Sequence, residues 1–148
     1  MVDPLRIAFF GTPEFAVPTL ETLLASRHDV CGVVTQPDRP RGRGRQVSSS
    51  PVKALAVARG LPLLQPERLK DPAVAATLRA WRPDLGVVAA YGKLIPEEIL
   101  SLPRHGLINV HASLLPKYRG AAPVQRAVID GERETGVTIM RVEKLLDA

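Results

Sequence analysis

Several things a sequence can carry are missing from this one, and each absence excludes a class of protein. None of the 148 residues belongs to an apolar run of about 18 or more, the length a helix needs to cross a bilayer, so no membrane span is expected. The first apolar stretch, Leu5 to Phe10, is short and is interrupted at once by Gly11, Thr12, Pro13 and Glu14, which is not the pattern of a secretory leader. The single cysteine, Cys31, cannot close an internal disulfide, and its setting in Val30-Cys31-Gly32-Val33-Val34 predicts a buried structural thiol. These features predict a cytoplasmic protein. No cysteine and histidine group has metal-ligand spacing, so no metal is expected. Two phosphate-binding motifs are also missing. Gly42-Arg43-Gly44 lacks the third glycine of a dinucleotide fingerprint and follows the second strand pattern, not the first. Gly11-Thr12-Pro13 is not followed by the Gly-Lys-Ser/Thr of a phosphate-cradling loop, so nicotinamide and ATP are disfavoured.

Negative charge is missing from one segment. From Arg39 to Pro66 the chain has Arg39, Arg41, Arg43, Arg45, Lys53 and Arg59 and no acidic residue. That segment carries +6 of a net charge of +5, leaving −1 for everything else. The basic character is therefore local, and it suggests a polyanionic partner at one place on the surface. A solvated charge run is the plain alternative.

What is present is an alternation of strand and helix patterns over the length of one domain, residues 1–148. Strands are predicted at 5–10, 30–35, 61–64, 84–90, 106–111 and 135–142, each short and rich in Val, Ile, Leu or Ala. Helices are predicted at 14–25, 51–59, 71–81, 96–100 and 120–129. Ser50 and Asp71 look like N-caps, each followed by proline at the first helical position, and Gly60 looks like a stop. Gln36 to Ser50 is predicted as a polar loop, long enough at 15 residues to suggest a function. The pattern predicts an α/β fold: a doubly wound, Rossmann-like, mostly parallel sheet with helices on both faces. Such a sheet usually closes with a further element. The chain stops just after the last strand, so it is expected to be part of a longer protein.

In an open α/β sheet, ligands bind beyond the carboxyl ends of the strands. Those ends are Gly11-Thr12-Pro13, Gln36-Pro37-Asp38, Tyr91-Gly92-Lys93 and Asn109-Val110-His111. Asn109 and His111 lie two apart on one strand and so share a face. An amide and an imidazole together can hold a developing oxyanion and move a proton. Taken alone, a histidine at a strand end is more often a hydrogen-bonded structural residue. Asp147, after the last strand, is a candidate third member that could return to the same edge and raise the basicity of His111. Taken alone, an aspartate near a chain end is more often a solvated residue. The arginine run leaves the sheet at the same edge and could order against phosphates. His28 and His105 are expected at the surface of the opposite edge, and Trp81 is expected to pack.

Read together, these residues have a familiar order. Ile108-Asn109-Val110-His111-Ala112-Ser113-Leu114-Leu115-Pro116, followed by Lys117-Tyr118-Arg119-Gly120-Ala121-Ala122-Pro123, resembles the signature of the 10-formyltetrahydrofolate transferases. The resemblance implies a catalytic Asn109, His111 and Asp147. It implies a folate site lined by Ser113, Leu114, Leu115 and Pro116 and flanked by the loop that holds Tyr91, Gly92 and Leu94. Phe10-Gly11-Thr12-Pro13-Glu14-Phe15-Ala16 and the stretch from Thr35 to Lys53 resemble the branch that formylates initiator methionyl-tRNA. In that branch the basic loop engages the acceptor stem, which implies tRNA contacts for Arg39, Arg41, Arg43 and Arg45. The co-substrate implied is 10-formyltetrahydrofolate, with no metal and no obligate protein partner. The sequence departs from the family around the aspartate, where Leu145-Leu146-Asp147-Ala148 stands in place of a common Gly-Leu-Asp-Thr-Gly. The family's carboxyl-terminal β-barrel domain is also not among these residues. Rival acceptors within the fold are a sugar amine, glycinamide ribonucleotide or water. The rival of another class is a nucleic-acid-binding module without catalysis.

Overall fold

The structure, a computed structural model, describes residues 3–41, 46–112 and 137–141, of which 39–41, 46–48, 111–112 and 137–141 are described by their backbone. Twelve elements follow in chain order among them: β1 (Arg6–Gly11), α1 (Ala16–Ala25), β2 (Asp29–Val34), β3 (Arg39–Arg41), β4 (Gln46–Ser48), α2 (Pro51–Ala58), β5 (Leu63–Leu64), α3 (Pro72–Trp81), β6 (Leu85–Ala89), α4 (Glu97–Leu100), β7 (Leu107–Ala112) and β8 (Val137–Arg141).

Local chemistry explains the boundaries. Ser50 caps α2 by accepting a hydrogen bond from the Lys53 amide at 3.1 Å, and Pro51 occupies the first turn, where its missing N–H is no loss. Gly60, at φ +68, turns the chain out of that helix. Asp71 caps α3 through the Ala73 amide at 3.0 Å. Pro18 is tolerated in α1 because it is the third residue of the helix.

Six strands form one sheet in the order β5-β2-β1-β6-β7-β8. The first five run parallel. Successive side chains on these strands go to opposite layers. Ile7, Phe9, Val33, Val87, Ala89 and Val110 join a core with α1 and α2. Ala8, Phe10, Val34, Val88 and Leu107 join a second core with α3, α4, Tyr91 and Ile95. Phe9 and Phe10 thus anchor opposite layers at 0% and 1% exposure, each worth about 1.5–3 kcal/mol of burial. Trp81, at the end of α3, seats directly on β2. A Cβ at Gly32 would lie 2.4 Å from its ring, so this position takes glycine because the helix comes so close.

Two expectations change, and the direction of one strand is added. The stretch from Gln36 to Ser50 is not plain loop, because β3 and β4 pair antiparallel, Arg39 opposite Ser48 and Arg41 opposite Gln46. Strands of three residues are too short to leave a readable period, and Pro40 hid the first of them. The last strand, β8, runs antiparallel to β7, with Val137 opposite Ala112 and Arg141 opposite Ile108, so the sheet is mostly parallel with one reversed edge. His28 is half-buried, not a surface residue, because its Nδ1 accepts the Leu5 amide at 2.9 Å and ties β1 to the turn before β2. Burial, with help from the Arg27 charge, lowers its pKa. The helix predicted at 120–129 lies outside the described residues. Among the described residues, no helix is long and apolar enough to cross a membrane, and no group of three or more His, Cys, Asp and Glu could hold a metal ion.

Candidate active site

The strand order reverses direction between β1 and β6. From β1 the chain winds outward through β2 to β5, then crosses back to β6 and β7. The connections diverge there and leave a crevice at the carboxyl edge, bounded by the residues after Gly11 and after Ala89. The backbone at this point is unusual. Ala90 has φ +58 and Gly92 φ +92, so the chain makes two left-handed steps around Tyr91. Non-glycine residues hold such conformations only where their surroundings over-determine them.

Hydrogen bonds supply that determination. The Tyr91 carbonyl accepts from Thr12 Oγ1 at 3.2 Å and from Gln36 Nε2 at 2.9 Å. Thr12 Oγ1 itself accepts from the Gln36 amide at 3.3 Å and from Thr35 Oγ1 at 3.3 Å. Thr35 Oγ1 lies 3.1 Å from Ser50 Oγ. Each hydroxyl has one proton to give. Thr12 spends its proton on Tyr91 and Thr35 spends its own on Thr12, so Ser50 must be the donor to Thr35. The result is a one-way chain from the Lys53 amide through Ser50, Thr35 and Thr12 to the Tyr91 carbonyl, crossing the ends of β2, β1 and β6. Thr35 is fully buried within it. These residues make the floor of the crevice.

The Tyr91 ring points into the core, 1% exposed and edge-on to Phe10 at 5.8 Å. Its hydroxyl is buried with no hydrogen-bond partner among the described residues, and burial pushes its pKa up. Any contact Tyr91 offers at the crevice is therefore through its backbone. Leu94, by contrast, is 64% exposed, and Phe15, on the β1–α1 connection at the same edge, is 44% exposed. Lys93 is committed, its Nζ donating to the carbonyls of Pro66 and Glu67 at 3.2 and 2.8 Å.

Asn109 lies on β7 beside Val88 of β6 and Met140 of β8. It is a buried polar residue, 6% exposed. It occupies the face of Leu107, while Val110 belongs to the other layer, as the strand period requires. His111 is two residues further along the same face, opposite Thr138. By the β6–β7 register it stands at the height of Ala90, above the end of β6. The structure therefore brings the Asn–His face to the same edge as the Thr12–Tyr91 floor. Asp147 and the folate candidates Ser113, Leu114, Leu115 and Pro116 lie outside the described residues.

The arginine-bearing segment is rooted at this edge too. Arg39 and Arg41 are alternate residues of β3, and Arg43 and Arg45 lie outside the described residues. One foot of the ribbon is Ser50, already in the hydroxyl chain. The other is Asp38, whose two oxygens are taken by Lys53 Nζ at 2.7 Å and Gln65 Nε2 at 2.9 Å. Those two partners, Lys53 first, hold the Asp38 carboxyl below its ordinary pKa. Thr12, Gln36 and Asp38 were visible in the sequence as strand-end residues without a role. Gln65 carried no signal, and Lys53 showed only as one charge of the basic segment and Thr35 as the end of a strand, because what they do depends on strands brought together by the fold.

A cavity of about 630 Å³ opens at the opposite edge among Arg6, Arg82, Pro83, Asp84, Leu102 and Arg104. Arg6 pairs with Asp29 at 3.2 Å and Arg104 with Asp84 at 3.4 Å. It lies at the amino ends of the strands, away from the topological switch, and is not the candidate site.

Comparison with known proteins decides the family. Residues 5–148 match the family model described as formyl transferase. The chain belongs to the formyl transferase family. Among curated relatives, the methionyl-tRNA formyltransferase of Methylococcus capsulatus is 60% identical over 144 residues, which is 97% of this chain and 47% of that protein. The Thermus thermophilus protein of the same name is 59% identical over 143 residues, with the same coverage. The chain thus spans about half the length of the curated relatives it matches. The formyl transferase sheet also appears in more distant solved structures. A glycinamide ribonucleotide transformylase from Symbiobacterium toebii superposes with a TM-score of 0.60 at 24% identity, covering 97% of this chain and 68% of that one. A formyltetrahydrofolate deformylase from Pseudomonas syringae pv. tomato gives 0.59 at 23% identity, covering 99% and 49%.

Proposed function

We propose that this chain carries the catalytic half of an enzyme that moves a formyl group from N10 of 10-formyltetrahydrofolate to the α-amine of initiator methionyl-tRNA. The observation that carries this reading is the rooting of the β3–β4 ribbon, which holds Arg39 and Arg41 of the arginine-rich stretch, on the sheet edge where β7 ends with Asn109 and His111. A formyl transferase acting on a small amine has no use for such a ribbon, whereas a phosphate-rich acceptor does. Relatives about 60% identical and named for that reaction support it.

The chemistry needs few parts. The amine attacks the formyl carbon, and a C–N bond forms as the carbonyl oxygen becomes an oxyanion. Asn109 and His111 donate hydrogen bonds to that oxygen, one such donor being worth about 3–4 kcal/mol of barrier. The amine nitrogen gives up a proton, N10 takes one, and the bond between N10 and the formyl carbon breaks. Asp147 orients His111 and assists the proton's passage. Ser113, Leu114, Leu115 and Pro116 line the folate, with Leu94 and the Gly92 backbone flanking the pterin. Arg39, Arg41, Arg43 and Arg45 meet phosphates of the acceptor stem. The folate enters and leaves as a substrate, and the chemistry proposed uses no metal and no further protein subunit.

The test is formyl transfer to charged initiator tRNA by the full-length protein. Turnover that falls by about a hundredfold or more in Asn109→Ala and is lost in His111→Ala is expected. Turnover that survives His111→Ala at near the parent rate overturns the catalytic assignment. A wild-type protein that formylates only a sugar amine or another small amine overturns the acceptor.

A further inference from the structure

Asp38 presents a puzzle of sign. It is an acidic residue immediately before a ribbon whose work is to attract phosphate. On charge alone it weakens that attraction, and an alanine would serve better. Its contacts explain its presence. Both carboxylate oxygens already hold a donor, Lys53 Nζ from α2 at 2.7 Å and Gln65 Nε2 from the β5–α3 connection at 2.9 Å. Gln65 Nε2 also reaches the Gln36 carbonyl at 3.3 Å, so the same amide fixes the backbone two residues before the ribbon's foot. Asp38 stands at the surface, open to water and salt, so the strength of the clamp rests on its two donors acting together and not on burial. The other foot is held through Ser50, whose hydroxyl caps the helix that carries Lys53. The two feet of the ribbon are thus fastened to one helix terminus, and both fastenings run back to the Tyr91 carbonyl through Gln36, Thr35 and Thr12.

We propose that Asp38 is a positioning residue, which with Lys53 and Gln65 clamps the foot of the arginine ribbon and so fixes the distance between the phosphate-binding surface and the Asn109–His111 face. The proposal rests on the tRNA reading given above. A clamp of this kind lowers the entropy lost when a polyanion orders the ribbon, and its effect falls on acceptor binding rather than on the chemical step.

The experiment uses the full-length protein and measures KM for initiator methionyl-tRNA and kcat in Asp38→Ala, Lys53→Met and the double variant. The clamp predicts KM raised about tenfold in Asp38→Ala, the order of one charge-assisted hydrogen bond, with kcat within about twofold. Electrostatics without a clamp predicts the opposite sign, a lower KM once the negative charge is gone, and that result overturns the proposal. The double variant should be no worse than the worse single variant, because each removes the same contact. Losses that add would mean that Lys53 touches phosphate on its own account, and would also overturn it. Amide hydrogen exchange at Arg39, Arg41 and Gln46–Ser48 judges the clamp independently of any substrate. Exchange at least fivefold faster in Asp38→Ala, on the same free-energy scale, supports the clamp, and unchanged exchange overturns it. If the wild-type protein formylates no tRNA, the functional reading fails, and the exchange measurement still decides whether the clamp exists.

Discussion

Replacing Gly92 with alanine should damage the floor of the crevice by an amount that can be worked out term by term. Gly92 sits at φ +92, where an L-residue is strained by about 1–2 kcal/mol. A Cβ there would lie 2.5 Å from Gln36 Nε2. The Gln36 amide is the end of a flexible side chain and can swing away, but in doing so it gives up its 2.9 Å hydrogen bond to the Tyr91 carbonyl, worth about 1 kcal/mol. The sum is about 2–3 kcal/mol, or roughly 6–12 °C in Tm for a domain of this size. Denaturant unfolding of Gly92→Ala, Gln36→Ala and the double variant tests the arithmetic. Gln36→Ala alone should cost about 1 kcal/mol. In its background the glycine substitution should cost only the backbone strain, so the pair should be coupled by about 1 kcal/mol. A Gly92→Ala protein as stable as the parent would refute the strain argument. Strictly additive losses would refute the claim that the collision acts through Gln36.

Two further predictions concern the rest of the chain. Burial pushes the Cys31 thiol from an ordinary 9.0 to about 11, so the native protein should resist thiol reagents at pH 8 and expose one reactive thiol only on unfolding; rapid labelling of the folded protein would contradict this. Because the folded value is the higher one, the buried neutral thiol favours folding below about pH 9, and that contribution should be lost as the pH rises from about 9 through 11. Neutralising Arg41, Arg43 and Arg45 together should weaken tRNA binding and flatten its salt dependence by up to about three charges' worth, and an unchanged slope would remove the ribbon from the binding surface.

The sheet was legible because its signals are local. Five parallel strands are short apolar runs between helices whose caps, Ser50-Pro51 and Asp71-Pro72, announce themselves. The direction of β8 was not legible, since Thr138, Ile139 and Met140 read the same whichever way the strand runs, and only its pairing with β7 decides. The ribbon was hidden for a different reason: Arg39-Pro40-Arg41 has the composition of a loop, and its partner Gln46-Val47-Ser48 offers a single apolar residue. At the site, Asn109 and His111 could be singled out because both bear on one strand face. The floor beneath them could not, since Thr12, Thr35, Ser50 and Tyr91 are chemically ordinary and become a unit only when three strand ends meet.

That meeting explains why the proposed recognition segment and the candidate catalytic strand share an edge. In a parallel sheet every strand delivers its following connection to the same side, so residues as far apart as Thr12 and His111 arrive at one crevice without any long loop to hold them. The cost is that each connection is fixed only at its root. The one-way run of hydroxyl protons from Ser50 to the Tyr91 carbonyl answers this by joining the roots of three connections. The Asp38 contacts join a fourth, the segment after β5. The foot of the ribbon is thereby fastened to the ends of β1, β2 and β6, next to the β7 strand that carries Asn109 and His111, which is the placement the proposed phosphate contacts require.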